Sequence, residues 1–208
     1  MQISNLFTVL AIASTAVAAP APVAAPPTQS SVGFRLRIRL KDAAKDFTPS
    51  IRNNYLVINN GYPNDYDFLS INSGKHTRTW ILNGTQAEVD AGQARIVDDY
   101  PDAVGSIYIA DDTPLNSVRI SKNNTATGVT LSPASDPVSY LLPDQYFVCK
   151  DDGEVRVRNI DPAKASLAPS TCVPIRLYPE CHDLFDGGAD TTNAKTVRCY
   201  SLDTMPEH

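Results

Sequence analysis

Apolar and polar residues alternate along several segments of the chain, which is the pattern of a strand with one buried face. The clearest case is residues 34–40, where four apolar side chains share one face and Arg35, Arg37 and Arg39 share the other. Residues 154–158 have the same period of two. Segments rich in β-branched and aromatic residues predict further strands at 55–58, 79–82, 106–110, 117–120, 145–150, 173–178 and 196–202.

Turn-forming sequences separate these segments at intervals of roughly 8 to 20 residues. Examples are Asn59-Asn60-Gly61, Asn83-Gly84 and Asp152-Gly153. The best helix start is Asp161-Pro162, and Pro169 limits that helix to about two turns. The sequence therefore predicts an all-β fold, a single antiparallel β-sandwich or barrel-like domain with one or two very short helices.

The first eighteen residues predict a cleavable signal peptide. The first nineteen residues carry no charge, residues 6–17 form an apolar run, and Ala16 and Ala18 supply small side chains before the cleavage point. A run of about 12 residues is too short to cross a bilayer, which needs about 20. Residues 19–31 contain four prolines and no charge, so we interpret them as an extended linker. Residues 32–208 then form one β-rich, disulfide-bonded domain, secreted to the medium or the cell wall, with no membrane association after cleavage.

All four cysteines, Cys149, Cys172, Cys181 and Cys199, lie in the last third of the chain. An even number of cysteines in an exported chain predicts two disulfide bonds. Cys172 and Cys181 flank one extended strand, whose nine steps of about 3.3 Å hold them roughly 30 Å apart, beyond the reach of a disulfide. Two arrangements stay open: Cys149–Cys172 with Cys181–Cys199, which we favour, and the crossed alternative.

Two segments match the acceptor pattern for N-glycosylation, Asn83-Gly84-Thr85 and Asn123-Asn124-Thr125. Both fall where turns are expected, and a turn is accessible to the transferase. We therefore predict that Asn83 or Asn123 carries a glycan in an exported eukaryotic chain.

Charge and candidate chemistry exclude several function classes. The net charge is −5 and no basic tail is present, so nucleic acid is not expected as a partner. Aspartate doublets such as Asp98-Asp99 indicate turns, and neighbours on a strand point to opposite faces, so these doublets make poor acid–base pairs or metal sites. His76, His182 and His208 have no convincing nucleophile beside them. We predict no catalytic, cofactor-binding or metal-binding residue.

Arg35, Arg37 and Arg39 are the first candidate binding feature. On one strand face, joined by Arg156 and Arg158, they would form a basic stripe that binds carboxylate or sulfate groups through two hydrogen bonds each. The alternative is that these long charged side chains protect a sheet face or edge.

Tyrosines between residues 55 and 68 are the second candidate feature. Tyr62 and Tyr66 alternate with Asn and Asp, a composition that stacks on sugar rings and binds their hydroxyls. The alternative is a tyrosine-lined hairpin that packs on its own sheet.

Residues 146–149, 172–181 and 197–200 form a block of cysteines, aromatic residues and apolar residues near the C-terminus. In the order and spacing of its cysteines this block resembles a family of small secreted fungal proteins with a signal peptide, a β-rich domain and no assigned function. The resemblance implies secretion, a fungal source and paired cysteines. It supplies no catalytic residue.

Three functions are compatible with these features. We favour a non-enzymatic extracellular or cell-wall-associated protein that binds a cell-wall glycan or another extracellular protein. The first alternative is a secreted, carboxylate-based hydrolase. The second is a structural or effector-like surface protein without a ligand.

Overall fold

The computed structural model describes residues 28–59, 68–72, 77–100, 105–112, 115–121, 127–133, 135–136, 139–151, 153–161, 163–164, 168–186 and 188–201. Within this part of the chain the fold is all-β, as the alternating pattern predicts. The two named helical segments are a 3₁₀ turn at Ala43–Lys45 and the helix α1 at Gln86–Asp90. The strands are β1 (Gln29–Ser31), β2 (Gly33–Leu40), β3 (Tyr55–Asn59), β4 (Phe68–Asn72), β5 (Trp80–Asn83), β6 (Arg95–Asp98), β7 (Ser106–Ala110), β8 (Asn116–Ser121), β9 (Thr130–Leu131), β10 (Leu141–Leu142), β11 (Tyr146–Asp151), β12 (Glu154–Asn159), β13 (Cys172–Cys181), β14 (Ala194–Lys195) and β15 (Val197–Cys199).

Eleven of these strands form one large antiparallel sheet in the order β14-β5-β6-β7-β8-β12-β11-β13-β2-β3-β4. Strand β2 also pairs with β5, through Gly33 with Ile81 and Phe34 with Trp80. Because of this second pairing the strands from β5 to β2 close into a ring, and the fold is barrel-like. A side chain at Gly33 would place its Cβ 2.7 Å from the carbonyl oxygen of His182, so the junction needs glycine.

The barrel interior holds the hydrophobic core. Phe34, Leu36 and Ile38 project inward from β2 and are fully buried, which leaves the alternate residues of that strand on its outer face. The hairpin of β3 and β4 closes over the core: Leu56 is part of the buried cluster and Ile71 packs against it. The outer face, meaning the side of the sheet away from this core, therefore carries the arginines of β2.

Residues 29–31, the last three of the predicted linker, form strand β1, which corrects the expected boundary at residue 31. Gln29–Ser31 pair in antiparallel register with Val197–Cys199. The last proline of the segment is Pro27, so residues 29–31 keep the amide hydrogens that a sheet requires.

The helix α1 lies at a site that the sequence analysis predicts as a turn. Thr85 caps it: the Thr85 hydroxyl accepts from the Glu88 N–H at 3.3 Å, and the Glu88 carboxylate accepts from the Thr85 N–H at 2.6 Å. This reciprocal pair is a capping box. At the predicted helix start, the Lys164 N–H donates to the Asp161 carbonyl at 2.8 Å, and residues 162 and 165–167 lie outside the described residues.

Candidate functional site

Two disulfide bonds link β13 to β11 at one of its ends and to β15 at the other. Cys149 bonds to Cys172 and Cys181 bonds to Cys199, with Cα–Cα distances of 4.1 and 5.1 Å. This is the first of the two arrangements that the sequence leaves open. Cys172 and Cys181 begin and end the single strand β13. Both ends of β13 are therefore covalently fixed, and this strand supplies much of the outer face described next.

The three arginines of β2 lie on the outer face, and each of them has partners there. Arg37 donates through Nη1 to the carboxylate of Glu180 at 2.9 Å, and Glu180 is only 2% exposed. The Tyr55 hydroxyl donates to the same carboxylate at 3.0 Å. Arg35 lies over the Tyr55 ring, with its guanidinium carbon 5.9 Å from the ring centroid. Arg35 and Arg37 are therefore part of an internal cluster with Tyr55 and Glu180.

The expected extension of the basic stripe by Arg156 and Arg158 is wrong. Both arginines belong to β12, which β11 and β13 separate from β2. Their partners are also local, since Arg156 binds Glu154 and Arg158 binds Asp151, each at 2.7 Å. Sequence alternation placed all five arginines on outer positions, but only the strand order shows that they form two separate groups.

The third arginine of β2, Arg39, lines a cleft of about 210 Å³ at the end of the strand. We call this cleft, with its cationic residues Arg39, Lys41, Arg52 and Arg176, the basic cleft. Arg39 and Arg176 are directly opposite each other in the register of β2 and β13. Like charges at directly opposed positions destabilise a sheet, so the fold tolerates a repulsion here. Leu40, Ala43 and Tyr178 complete the described lining.

One carboxylate, that of Asp144, orients two cations of the basic cleft. Arg176 donates through Nε to both Asp144 oxygens at 3.0 Å and through Nη2 to Oδ2. Lys41 Nζ lies 3.1 Å from the same carboxylate. Donation of its hydrogen bonds to Asp144 raises the pKa of the Arg176 guanidinium, although burial partly opposes this shift. Arg176 also lies 4.5 Å from the centroid of the Tyr140 ring.

The opposite wall of the basic cleft is a short, tightly bonded loop. Asp46 accepts hydrogen bonds from the N–H groups of Phe47 and Ile51 and from the Ser50 hydroxyl. Burial acts to raise the pKa of Asp46, but these bonds outweigh it and hold that pKa below its ordinary value of 3.8. Asn53, with a left-handed φ of 66°, accepts from Arg39 Nη1 at 2.6 Å. The loop therefore holds the backbone at Arg52, whose N–H also donates to the Ser50 hydroxyl at 3.1 Å.

The expectation that Asp98 and Asp99 form a turn is wrong. Asp98 ends β6 and pairs with Trp80, and the two carboxylates are 0% and 1% exposed. Asp98 faces the barrel interior with Trp80. Asp99 accepts instead from the backbone N–H groups of Phe185 and Ala189, at 2.7 and 3.1 Å. The doublet therefore points to opposite sides of the sheet, as the strand period predicts.

Other candidate residues are scattered. Asn83 ends β5 and is half-buried. Thr85, the third residue of its N-glycosylation pattern, forms the capping box of α1 with Glu88. His182 Nδ1 lies 3.2 Å from the Thr79 hydroxyl. The described residues hold no group of three or more His, Cys, Asp or Glu side chains placed to share a metal ion. No helix in the described ranges has the length and hydropathy to cross a bilayer. Tyr62, Tyr66, His76, His208 and Asn123 lie outside the described residues.

A family model described as a domain of unknown function, DUF7907, matches residues 31–181, well over half of the chain. The chain belongs to this family. The DUF7907 match contains every lining residue of the basic cleft and the Cys149–Cys172 disulfide, while Cys199 lies beyond it.

A curated fungal protein, "Antigenic protein SchS34" from Stachybotrys chartarum, is 26% identical over 199 aligned positions, covering 84% of this chain and 88% of that protein. No solved structure matches this DUF7907 chain. The fungal relative, the β-rich fold and the two disulfides agree with the family resemblance noted in the sequence.

Proposed function

We propose that this DUF7907 protein is secreted and acts outside the cell or in the cell wall as a non-enzymatic protein that binds a glycan or another protein. The observation that carries this proposal is the outer face of β2 and β13, where a disulfide-fixed strand borders an open cleft lined with cations. Rigid elements that present polar groups in a concavity are typical of binding sites.

The disulfides and the N-terminal sequence support the location. Disulfide bonds persist in oxidising compartments and are rare in reducing ones. Residues 1–18 have the composition of a signal peptide. The relative from Stachybotrys chartarum is described as antigenic, and a protein that another organism's immune system meets is accessible to it.

The placement of the buried carboxylates favours binding over carboxylate-based hydrolysis. Glycoside hydrolysis usually needs two carboxyl groups about 5 to 9 Å apart across one bond of the substrate. Glu180 lies on the outer face beside Arg35, whereas Asp98 lies on the inner face beside Trp80. The sheet itself therefore separates these two carboxyl groups. The third buried carboxylate, that of Asp99, is bound by the backbone N–H groups of Phe185 and Ala189.

The location is tested on protein purified from the culture medium of a fungal host. N-terminal sequencing should give a chain that starts after Ala18, and thiol titration in denaturant without reductant should detect no reactive thiol. An intact Met1 or four reactive thiols would contradict secretion.

The binding role is tested with isolated cell wall and a glycan array. We expect the protein to sediment with wall or to bind a subset of glycans. The predicted sugar platform is tested separately, since Tyr62→Ala with Tyr66→Ala should abolish binding that depends on it. A protein that binds neither wall, glycan nor extracellular protein would instead favour the structural or effector-like role.

A further inference from the structure

We propose that the basic cleft is an oxyanion site that binds one sulfate, phosphate or carboxylate group of an acidic sugar. This inference rests on the proposed binding function, because it names the ligand class of that outer face. It assigns the contacts to Arg39, Lys41 and Arg52, with Arg176 adding its positive charge.

The charge of the lining is the first argument. Among the described residues that line the cleft, four are cationic and none is acidic. Arg39 and Arg176 are directly opposed across β2 and β13, a position where like charges repel. An anion between these side chains would relieve that repulsion, and charge-assisted hydrogen bonds to guanidinium groups are among the strongest in proteins.

The rigidity of the cations is the second argument. Asn53 orients Arg39 through a hydrogen bond of 2.6 Å, and the backbone carbonyl of Asp144 accepts from Lys41 Nζ at 2.7 Å. The three hydrogen bonds to Asp46 hold the loop that carries Arg52. Groups that are already held in place lose less conformational entropy when a ligand binds, which raises the affinity.

The size of the cleft is the third argument. A volume of about 210 Å³ is below the range of roughly 300–1,000 Å³ that is usual for drug-sized ligands. The cleft therefore suits one anionic group with the sugar ring that carries it. A longer glycan would extend from the cleft over the outer face.

Asp144 is an internal competitor in this arrangement. Its carboxylate already binds Arg176 and Lys41 in the way that a ligand carboxylate would. Removing the Asp144 charge should therefore strengthen anion binding, whereas removing a cation should weaken it. This opposite sign separates a specific anion site from a general loss of structure.

The test is isothermal titration calorimetry of the full mature protein with four sugars of one scaffold: galactose, galacturonate, galactose 6-sulfate and galactose 6-phosphate. We expect at least one acidic sugar to bind and neutral galactose not to bind. Arg52→Gln and Arg39→Gln should each weaken the bound sugar about tenfold or more, and Asp144→Asn should tighten it. The matched control is Arg156→Gln, on the outer face of β12, which should leave the affinity unchanged.

Several results would overturn the proposal. One is equal affinity for galactose and all three acidic sugars, and another is unchanged affinity in Arg52→Gln and Arg39→Gln when both variants keep the wild-type melting temperature. Equal affinity for inorganic sulfate and galactose 6-sulfate would overturn the assignment to a sugar acid. Wall or glycan binding that survives when Arg39→Gln and Arg52→Gln are combined would overturn the assignment of the cleft as the ligand site and leave the proposed function in place.

Discussion

Glu180 and Asp98 both have buried carboxylates, but the two faces of the sheet give these carboxylates different neighbours. On the outer face, Glu180 is 2% exposed and accepts hydrogen bonds from Arg37 and Tyr55. On the inner face, Asp98 is fully buried, and its nearby donors are the Arg78 guanidinium and the Tyr100 backbone N–H. The closest charge partner identified for Asp98 is Arg78, whose Nη1 lies 3.4 Å away.

The difference follows from the side chains that share each face of the sheet with the carboxylate. Arginine and tyrosine share the outer face with Glu180, so its charge has partners on β2 and β3. Inner positions are apolar, and Asp98 has Trp80 as its direct cross-strand neighbour. Burial therefore raises the pKa of Asp98 to about 7, although Arg78 and the Tyr100 backbone partly offset it. On the outer face, the buried carboxylate of Glu180 has hydrogen-bond partners that stabilise its charge. On the inner face, burial destabilises the charged form of Asp98.

Arg37→Met breaks the paired side of this comparison and should have the largest effect. It leaves the Glu180 carboxylate buried with Tyr55 as its hydrogen-bond partner, and removing one member of a buried ion pair costs about 3–5 kcal/mol. Urea unfolding of the purified protein, with the disulfides intact, measures this loss.

The matching control for Arg37→Met removes both charges. In Arg37→Met with Glu180→Leu, apolar side chains replace the whole pair, and such replacements are often neutral. Most of the lost stability should therefore return. A double variant as unstable as Arg37→Met alone would show that the packing of the Arg37 stem, not its charge, stabilises this face.

Asp98→Asn tests the inner-face carboxylate through the pH dependence of stability. Because the pKa of Asp98 rises from 3.8 to about 7 on folding, the native state keeps its proton to higher pH than the unfolded chain. Its stability is therefore highest below about pH 4 and falls as the pH rises to about 7. At 1.36 kcal/mol per pKa unit, asparagine should add up to about 4 kcal/mol at pH 8 and almost nothing at pH 4. Equal effects at both pH values would contradict the assignment.

Much of the fold could be predicted from alternation, because a period of two needs only local sequence. The prediction for residues 106–110 has the bounds of β7, and that for residues 34–40 lies within β2. The sequence analysis does not predict the short strands β1, β9, β10 and β14, nor β4 and β6, and the aspartate doublet at the end of β6 indicates a turn there. The helix α1 was missed although Thr85 and Glu88 have the spacing of a capping box, a signal that the sequence does contain.

The candidate site was harder to predict because it depends on register. Alternation correctly placed Arg35, Arg37 and Arg39 on one face. It could not show that Glu180 lies within reach of Arg37, because that contact joins residues 143 positions apart. Arg176 and Arg52 were not proposed as site residues for the same reason. Their contribution to the basic cleft follows from strand pairing and from the path of a loop.

Asp99→Ala compares Asp98 with its bonded neighbour and should have an intermediate effect. The Asp99 carboxylate accepts from the Phe185 and Ala189 N–H groups, so alanine leaves both without this charged acceptor. We expect a local loss of about 2 kcal/mol, which corresponds to roughly thirty-fold faster hydrogen exchange at these two amides. Asp99→Asn keeps one acceptor oxygen and should show a smaller change. Unchanged exchange in Asp99→Ala would mean that other contacts hold this loop.

Arg156→Met should have the smallest effect on stability, and it is the reference with which the losses in the other variants are compared. Arg156 and Glu154 form an ion pair at 2.7 Å, but their side chains are 24% and 49% exposed, so water already solvates both charges. Exposed pairs of this kind contribute about 0–1 kcal/mol. Urea unfolding should therefore show a loss of under about 1 kcal/mol, several times less than for Arg37→Met. A loss as large as that of Arg37→Met would show that burial does not distinguish the two ion pairs. The contrast between Glu180 and Asp98 would then need another cause.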